Sequence, residues 1–384
     1  MQKHKVCVVS STRADFGLLT PLIDRISKSK HMELTIAATG THLLSEFGNT
    51  ITEIRKTFPA LKIDEITTFN LKKSNTEQMA TTLLAFEKYF TKTTPDMIIV
   101  LGDRFEIFAV AASAYALRIP IAHLHGGETS AGALDEAYRH AITKMSYLHF
   151  CSCELHKNRI IAMGEEPERV FNVGALGIEN IKKLILPKSD AILKKLGIPT
   201  DKPYVLVTFH PVTLEDNTAT EQIKELFAFF DSLENHSIII TKSNADAGGL
   251  EVNNAIDEYT KTNKDCYAFA SLGIKNYLAL MKDCVAVIGN SSSGIIEAPA
   301  FRVPTINIGD RQKGRLTSDS VVHCQCAIEN IKEAYNKIKT NESKTMLRTM
   351  PSPYGDGNTS GKIADIIKEV LLNNKIDLKK TFFD

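Results

Sequence analysis

Four acids, Asp103, Glu128, Asp135 and Glu136, are interleaved along the chain with His123, His125, Arg139 and His140. Carboxylates and imidazoles grouped in this way suit proton transfer on a small polar substrate. Much later, Gly289 to Pro299 reads Gly-Asn-Ser-Ser-Ser-Gly-Ile-Ile-Glu-Ala-Pro, directly after the apolar run Val285 to Ile288. A buried strand that ends in small polar residues and opens a helix is a place for an anion. Phosphate can approach the backbone there, and the first N–H groups of the helix point at it. The hydroxyls of Ser291 and Ser292 add donors, and Glu297, about two turns on, can accept hydrogen bonds from sugar hydroxyls. An isolated serine turn is as readily an ordinary helix cap. The basic groups around it favour a diphosphate: His210, Arg311, Lys313 and Arg315 in the same half of the chain, with Arg13 reaching over from the other.

The elements that must position these groups follow from periodicity. Short β-branched runs at Lys5–Val9, Glu33–Ala38, Met97–Leu101, Ile119–Leu124, Tyr147–Cys151 and Phe171–Val173 alternate with longer helical patterns. The pattern restarts with Tyr204–Phe209, Ser237–Thr241, Cys266–Ala270, Val285–Ile288 and Pro304–Ile308, separated by helical stretches such as Ala219–Leu233 and Lys275–Lys282. Strand-helix alternation predicts parallel sheets covered on both faces, and two sets predict an α/β chain of two doubly wound, Rossmann-like domains. We place them at 1–177 and 178–364, with a late helix over 360–373 and the C-terminal stretch 365–384 packing back on the first. Open parallel sheets bind ligands beyond the carboxyl ends of their strands. The strand ends here read Ser10 to Asp15, Thr39 to His42, Gly102-Asp103-Arg104 and His125 to Glu128 in the first half. In the second they read His210-Pro211, Lys242 to Asp246, Asn290 to Ser292 and Gly309 to Arg311. These groups are expected to line one cleft, with nucleotide on the second domain and chemistry on the first.

Composition narrows the alternatives. The chain has 384 residues and a net charge of +1, which gives no electrostatic case for nucleic acid or a membrane surface. Met1 to Lys5 runs straight into a strand-like segment, with no secretory leader and no apolar stretch long enough for a span, so a cytoplasmic location is expected. The seven cysteines, including the pairs Cys151/Cys153 and Cys324/Cys326, fit neither a disulfide framework nor the usual zinc spacing. Each pair, on a strand, would share one face as packed reduced thiols. Neither a Gly-x-x-x-x-Gly-Lys-Ser/Thr loop nor a Gly-x-Gly-x-x-Gly after the first strand is present, which argues against ATP hydrolysis and nicotinamide chemistry. The histidines between His123 and His149 are poorly spaced for a metal, so neither metal nor cofactor is expected.

At this point the motifs carry a resemblance. The chain resembles the hydrolysing UDP-N-acetylglucosamine 2-epimerases of bacterial sialic-acid synthesis. The matching motifs of the first half are Ser-Thr-Arg-Ala-Asp-Phe-Gly at 11 to 17, Gly-Asp-Arg-Phe-Glu at 102 to 106, His-Gly-Gly-Glu at 125 to 128 and Asp-Glu-Ala-Tyr-Arg-His-Ala-Ile-Thr-Lys at 135 to 144. In the second half they are Phe-His-Pro at 209 to 211, Ser-Asn-Ala-Asp-Ala-Gly at 243 to 248, Gly-Asn-Ser-Ser-Ser-Gly at 289 to 294 and Asn-Ile-Gly-Asp-Arg-Gln-Lys-Gly-Arg at 307 to 315. The resemblance implies the two-domain GT-B fold with the active site in the cleft, a UDP-sugar substrate, and a homodimer or homotetramer. It implies uridine around Ser271 to Tyr277, ribose on Glu297, and diphosphate on Arg13, Ser291 and Ser292. His210, Asn244 and Arg315 lie close by; Arg104 and His125 join the substrate-binding set. The acids matching catalytic positions are Asp103, Glu128 and Asp135, with His210 as a further candidate. The chain departs from some relatives in carrying His125 where they carry glutamate.

The chemistry can be argued separately. The C2 hydrogen of a 2-acetamido hexose is hardly acidic, but loss of UDP from C1 builds positive charge on the ring and acidifies it. Elimination leaves a 2-acetamidoglucal; water then adds at C1 and a proton at C2 from the other face. Such a route needs a diphosphate clamp and at least two acid-base groups, and no redox cofactor. The expected reaction is UDP-N-acetylglucosamine plus water to N-acetylmannosamine plus UDP. The alternatives are the same reaction on a UDP-linked 2,4-diacetamido-trideoxyhexose, a non-hydrolysing epimerase, or a GT-B glycosyltransferase.

Overall fold

Period-two burial organises each sheet. The computed structural model describes residues 3–131, 133–211, 219–243, 248–340, 342, 343, 345, 347, 352–373 and 376–384. It divides into two compact units, one of Met1–Glu128, Asp135–Asn180 and Tyr354–Asp384, the other of Thr129–Leu134 and Ile181–Pro353. Among the described residues no helix is long and apolar enough to cross a membrane.

The first unit holds the strands β1 (His4–Ser10), β2 (Met32–Ala38), β3 (Lys62–Glu65), β4 (Met97–Leu101), β5 (Ile121–Leu124), β6 (Leu148–Cys151) and β7 (Val170–Asn172). They pair in parallel in the order β3-β2-β1-β4-β5-β6-β7. Its helices are α1 (Arg13–Ser27), α2 (Ile51–Thr57), α3 (Asn75–Thr93), α4 (Phe105–Ala116), α5 (Asp135–Met145), α6 (Glu154–Ala162) and the start of α7 (Leu176–Lys183). Along β1, Val6 and Val8 join a core with Leu19 and Ile23 of α1, while Cys7 and Val9 face the opposite core with Phe86 and Phe90 of α3. Covering both faces lets nearly every residue of the strand be apolar. Each fully buried Val or Ile stabilises the fold by about 1.5–3 kcal/mol.

The second unit holds α8 (Ser189–Leu196), β8 (Tyr204–Thr208), α9 (Ala219–Asp231), β9 (Ser237–Thr241), α10 (Gly249–Thr262), β10 (Cys266–Phe269), α11 (Gly273–Asp283), β11 (Val287–Gly289), α12 (Ser292–Ala300), β12 (Thr305–Ile308), β13 (Val321–Cys324) and α13 (Ile328–Ile338). Its parallel sheet has the order β10-β9-β8-β11-β12-β13. Val205 and Val207 pack toward Ile223 and Leu226 of α9, and Tyr204 and Leu206 toward Leu280 of α11. The last helix, α14 (Thr359–Leu372), returns to the first unit, where Ile363 and Ile367 enter the core of α1. Its first turn is held by the buried carboxylate of Glu179 in α7, which accepts from the N–H and the hydroxyl of Ser360, both at 2.5 Å. A carboxylate suits the positive end of a helix.

Two strands were not expected. β3 reads Lys-Ile-Asp-Glu and is half exposed, and β13 closes the other sheet with only Val321 buried. Both are edge strands, which need an apolar face on fewer sides and so leave a weaker signal. The cysteine pairs also differ from expectation: Cys151 and Cys324 end strands, but Cys153 caps α6 and Cys326 lies past β13, so neither pair shares a strand face. All seven thiols are free.

Candidate active site

In each sheet the strand order reverses once, between β1 and β4 in the first unit and between β8 and β11 in the second. Loops diverge at such a point and open a crevice at the strand ends, the usual ligand position in doubly wound sheets.

In the first unit the turn after β1 is fixed before any ligand is considered. Asp15, nearly buried, accepts from the N–H of Ser11 at 2.8 Å, the N–H of Thr12 at 3.0 Å and the hydroxyl of Ser10 at 2.7 Å. Thr12 completes a capping box with it. Ser10 Oγ also meets His42 Nε2 at 2.9 Å. Burial pushes the Asp15 carboxyl up, but the hydrogen bonds from His42, Ser11 and Ser10 outweigh it and hold it below the usual carboxylate range. The result presents Arg13 as the first residue of α1. A cation there opposes the helix dipole, and burial lowers its pKa despite Glu53 nearby. An arriving anion would relieve both penalties.

At the ends of β4 and β5, Arg139 of α5 ties the pieces together. Nearly buried, its guanidinium donates to the carbonyl of His125 at 2.9 Å and forms an ion pair with Asp103. Asp103 therefore pairs with Arg139, thirty-six positions on, while its neighbour Arg104 meets Glu106 at 2.6 Å. His125 sits at φ 63°, a left-handed conformation unusual for a residue with a side chain. Its Nδ1 lies 3.1 Å from Oε1 of Glu128, and its buried Nε2 has no hydrogen-bond partner among the described residues. The same Oε1 accepts from Ser152 at 2.8 Å, and Ser152 Oγ is 2.9 Å from Nδ1 of His156. Gly127 allows this crowding: at φ 73°, a Cβ on it would stand 2.4 Å from the carbonyl oxygen of His156. Asp135 begins α5, one turn before Arg139. Beneath, fully buried His123 bonds Gly102 O at 2.8 Å and Thr143 Oγ1 at 3.2 Å, and burial drives its pKa down to about 3, so the ring is neutral.

In the second unit the strand ends are joined by an amide. Asn290 Oδ1 accepts from the N–H of His210 and its Nδ2 donates to the carbonyl of His210, both at 2.7 Å. His210 Nδ1 meets Ser243 Oγ at 3.0 Å. Ser291 caps α12, accepting from the N–H of Ser293 at 3.4 Å, and Ser292 is the first helical residue. Tyr277 reaches Ser293 Oγ at 2.7 Å, and burial pushes its hydroxyl up to about 12 despite that bond. Glu297 is buried on α12, and Ser271 is exposed, capping the N–H of Gly273 at 3.1 Å. The basic segment folds onto the same turn: Arg311 and Gln312 donate to Asn290 O at 3.3 and 2.7 Å. Arg315 Nε donates to Thr129 O at 2.7 Å. Beside them a cleft of about 670 Å³ is lined by Gln312, Lys313, Arg315, His323 and Glu333.

So the first unit brings Asp103, His125 and Glu128 together, with Asp135 on the helix that bears Arg139. The second gathers His210, Ser291, Tyr277 and Arg311 around Asn290. Asn244 lies outside the described residues. Sequence reasoning gave no role to Asn290, Ser152, His156 or Gln312. Asn290 stood inside the serine motif, and Ser152 and His156 carried no signal of their own. Among the described residues, no group of three or more His, Cys, Asp or Glu is arranged to hold a metal ion.

Two parallel α/β units with these strand orders define a protein of Rossmann-like, GT-B type. The chain is a member of the UDP-N-acetylglucosamine 2-epimerase family, whose pattern it matches over residues 24–368. It is 42% identical over 388 residues, covering 100% of both chains, to a GDP/UDP-N,N'-diacetylbacillosamine 2-epimerase (hydrolyzing) of Campylobacter jejuni. It is 36% identical over 383 residues, 99% of this chain and 97% of the other, to the polysialic acid biosynthesis protein P7 of Escherichia coli. In fold it is similar to a crystal structure of UDP-GlcNAc 2-epimerase from Neisseria meningitidis bound to UDP-GlcNAc, with a TM-score of 0.79 at 19% identity over 96% of this chain and 100% of that one.

Proposed function

We propose that this protein cleaves a UDP-linked 2-acetamido sugar with water and inverts C2, releasing UDP and the free 2-epimer. The observation that carries the reading is one linked set at the ends of β4 and β5: Arg139 pairs with Asp103 and holds the carbonyl of His125, whose ring meets Glu128. Carboxylates and an imidazole gathered beside one buried cation match a reaction that must remove a proton from C2, return one to its other face and add water at C1. The diphosphate falls to Arg13, Ser291, Ser292, Arg315 and His210, which stabilise the leaving group as its charge develops. Glu297 and Tyr277 serve the nucleoside, and Asp135 joins the acids. Bond changes balance: the C1–O pair leaves with UDP, the C2–H pair becomes the C1–C2 double bond, and water restores C1 while a proton restores C2.

Two donors compete. Relatives of Campylobacter jejuni and Legionella pneumophila, 42% and 35% identical, are named for N,N'-diacetylbacillosamine, which favours a UDP-2,4-diacetamido-2,4,6-trideoxyhexose. The relative named for polysialic acid synthesis favours UDP-N-acetylglucosamine. A cytoplasmic location and a homo-oligomeric state belong to the same reading, the second supported by the resemblance. The test is NMR of the purified protein with each donor in deuterium oxide. Free UDP and a 2-epimer deuterated at C2 are expected, and the donor turned over faster is the substrate. Intact donor, a 2-epimer still linked to UDP, or a product retaining its C2 hydrogen defeats the reading.

A further inference from the structure

Within that reading, on which this inference rests, we infer that the group carrying the C2 proton is His125, and that Glu128 is its positioning residue. Four observations meet here. His125 is 8% exposed, and its Nδ1 faces Glu128 Oε1 at 3.1 Å. Its Nε2 is buried without a hydrogen-bond partner among the described residues. The backbone holds it at φ 63°, a left-handed conformation that persists only where surroundings impose it. Those surroundings are explicit: Arg139 grips its carbonyl, and its N–H donates to Phe150 O at 2.9 Å.

The contacts around Glu128 favour one placement of the protons. The Ser152 hydroxyl donates to Oε1 of Glu128, and His125 Nδ1 lies 3.1 Å from the same oxygen, where an ionised carboxylate, which only accepts, favours the tautomer with its proton on Nδ1. Ser152 has then spent its one hydrogen, so His156 Nδ1 must carry the proton of the 2.9 Å contact between them. The chain His156 to Ser152 to Glu128 therefore runs one way and leaves Glu128 an acceptor. With Nδ1 protonated, a neutral His125 has its lone pair on Nε2. That is the arrangement of a base oriented by a carboxylate, in which the carboxylate fixes the tautomer and stabilises the imidazolium that forms. In the elimination, Nε2 takes the C2 hydrogen as a proton, the C2–H electrons form the double bond, and UDP departs with the C1–O electrons. Charged groups near the pair are Arg139 from α5, Arg159 and His156 from α6, and the thiols Cys151 and Cys153.

The experiment has two arms. Nitrogen-15 NMR of the imidazoles in the full chain is expected to show His125 with Nδ1 protonated and Nε2 bare, and Glu128→Gln is expected to erase that preference. Kinetics on the preferred donor are expected to show His125→Gln lowering kcat by about 100-fold or more with UDP affinity within about threefold. His125→Glu restores part of the loss, because it returns a base of similar reach. Ser152→Ala, which only loosens Glu128, costs about tenfold in kcat with KM little changed. A wild-type His125 protonated at Nε2, or a His125→Gln enzyme within about threefold of wild type, overturns the inference. Absence of UDP release by the wild type defeats the reaction itself and leaves the tautomer arm standing as the test of the pair.

Discussion

Asn290 spends both ends of its side-chain amide on one residue, His210, holding its N–H and its carbonyl at 2.7 Å each. The two residues follow β11 and β8, the strands between which the order of the second sheet reverses, so one side chain closes the crevice the topology opens. Asn290 O in turn accepts from Arg311 and Gln312, which puts the basic segment on the same anchor. One residue thus anchors both parts of the proposed diphosphate site, through its side chain to His210 and through its backbone carbonyl to the basic segment.

Replacing that amide should be costly. Asn290→Ala removes both side-chain hydrogen bonds to the His210 backbone, at about 1–2 kcal/mol each. The expected outcome is a loss of about 2–4 kcal/mol in urea unfolding and UDP affinity weakened at least tenfold. Calorimetric titration with wild-type affinity would show that the clamp does not shape the site.

Asp103→Asn and Asp135→Asn should separate chemistry from binding. Each is expected to reduce kcat by about 100-fold or more, while UDP affinity stays within about threefold because neither acid is assigned to the nucleotide. Steady-state UDP release alongside UDP titration reads both numbers, and unchanged turnover removes that acid from the mechanism.

His123 makes a pH prediction with a definite sign. Burial lowers its pKa from 6.5 to about 3, so the folded state refuses a proton that the unfolded chain accepts. Its contribution is complete above about pH 6.5 and is lost progressively as pH falls toward 3. Urea midpoints should therefore decline between pH 6.5 and 4, and less steeply in His123→Gln. Parallel slopes would count against a neutral buried ring.

Gly289 precedes the clamp at φ 130°, and a Cβ there would stand 2.0 Å from the carbonyl oxygen of Thr208. Neither conformation nor space admits a side chain. Gly289→Ala should yield little folded protein or a loss above about 4 kcal/mol. A variant with a melting temperature within a few degrees of wild type would contradict the close approach of β8 and β11.

Much of the fold was legible because central strands buried on both faces must be apolar almost throughout. Val6 to Val9 and Val205 to Val207 announce themselves for that reason, whereas the edge strands β3 and β13 do not. The site was legible in its residue types and less so in its pairings. Asp103, Glu128, Asp135, His210 and Ser291 could be named as candidates because acids, imidazoles and hydroxyls at the carboxyl ends of parallel strands face the crevice where such sheets bind ligands.

What the amino-acid order determined by itself is the alternation of strand and helix and the chemistry available at the strand ends, since both depend on local periodicity and residue type. Only the tertiary structure decided that Asp103 meets Arg139, that Ser152 reaches back to Glu128, and that Asn290 closes on a residue eighty positions away. Parallel sheets join strands through crossovers, so partners at neighbouring strand ends are far apart in the chain, and no local pattern records which of them will touch.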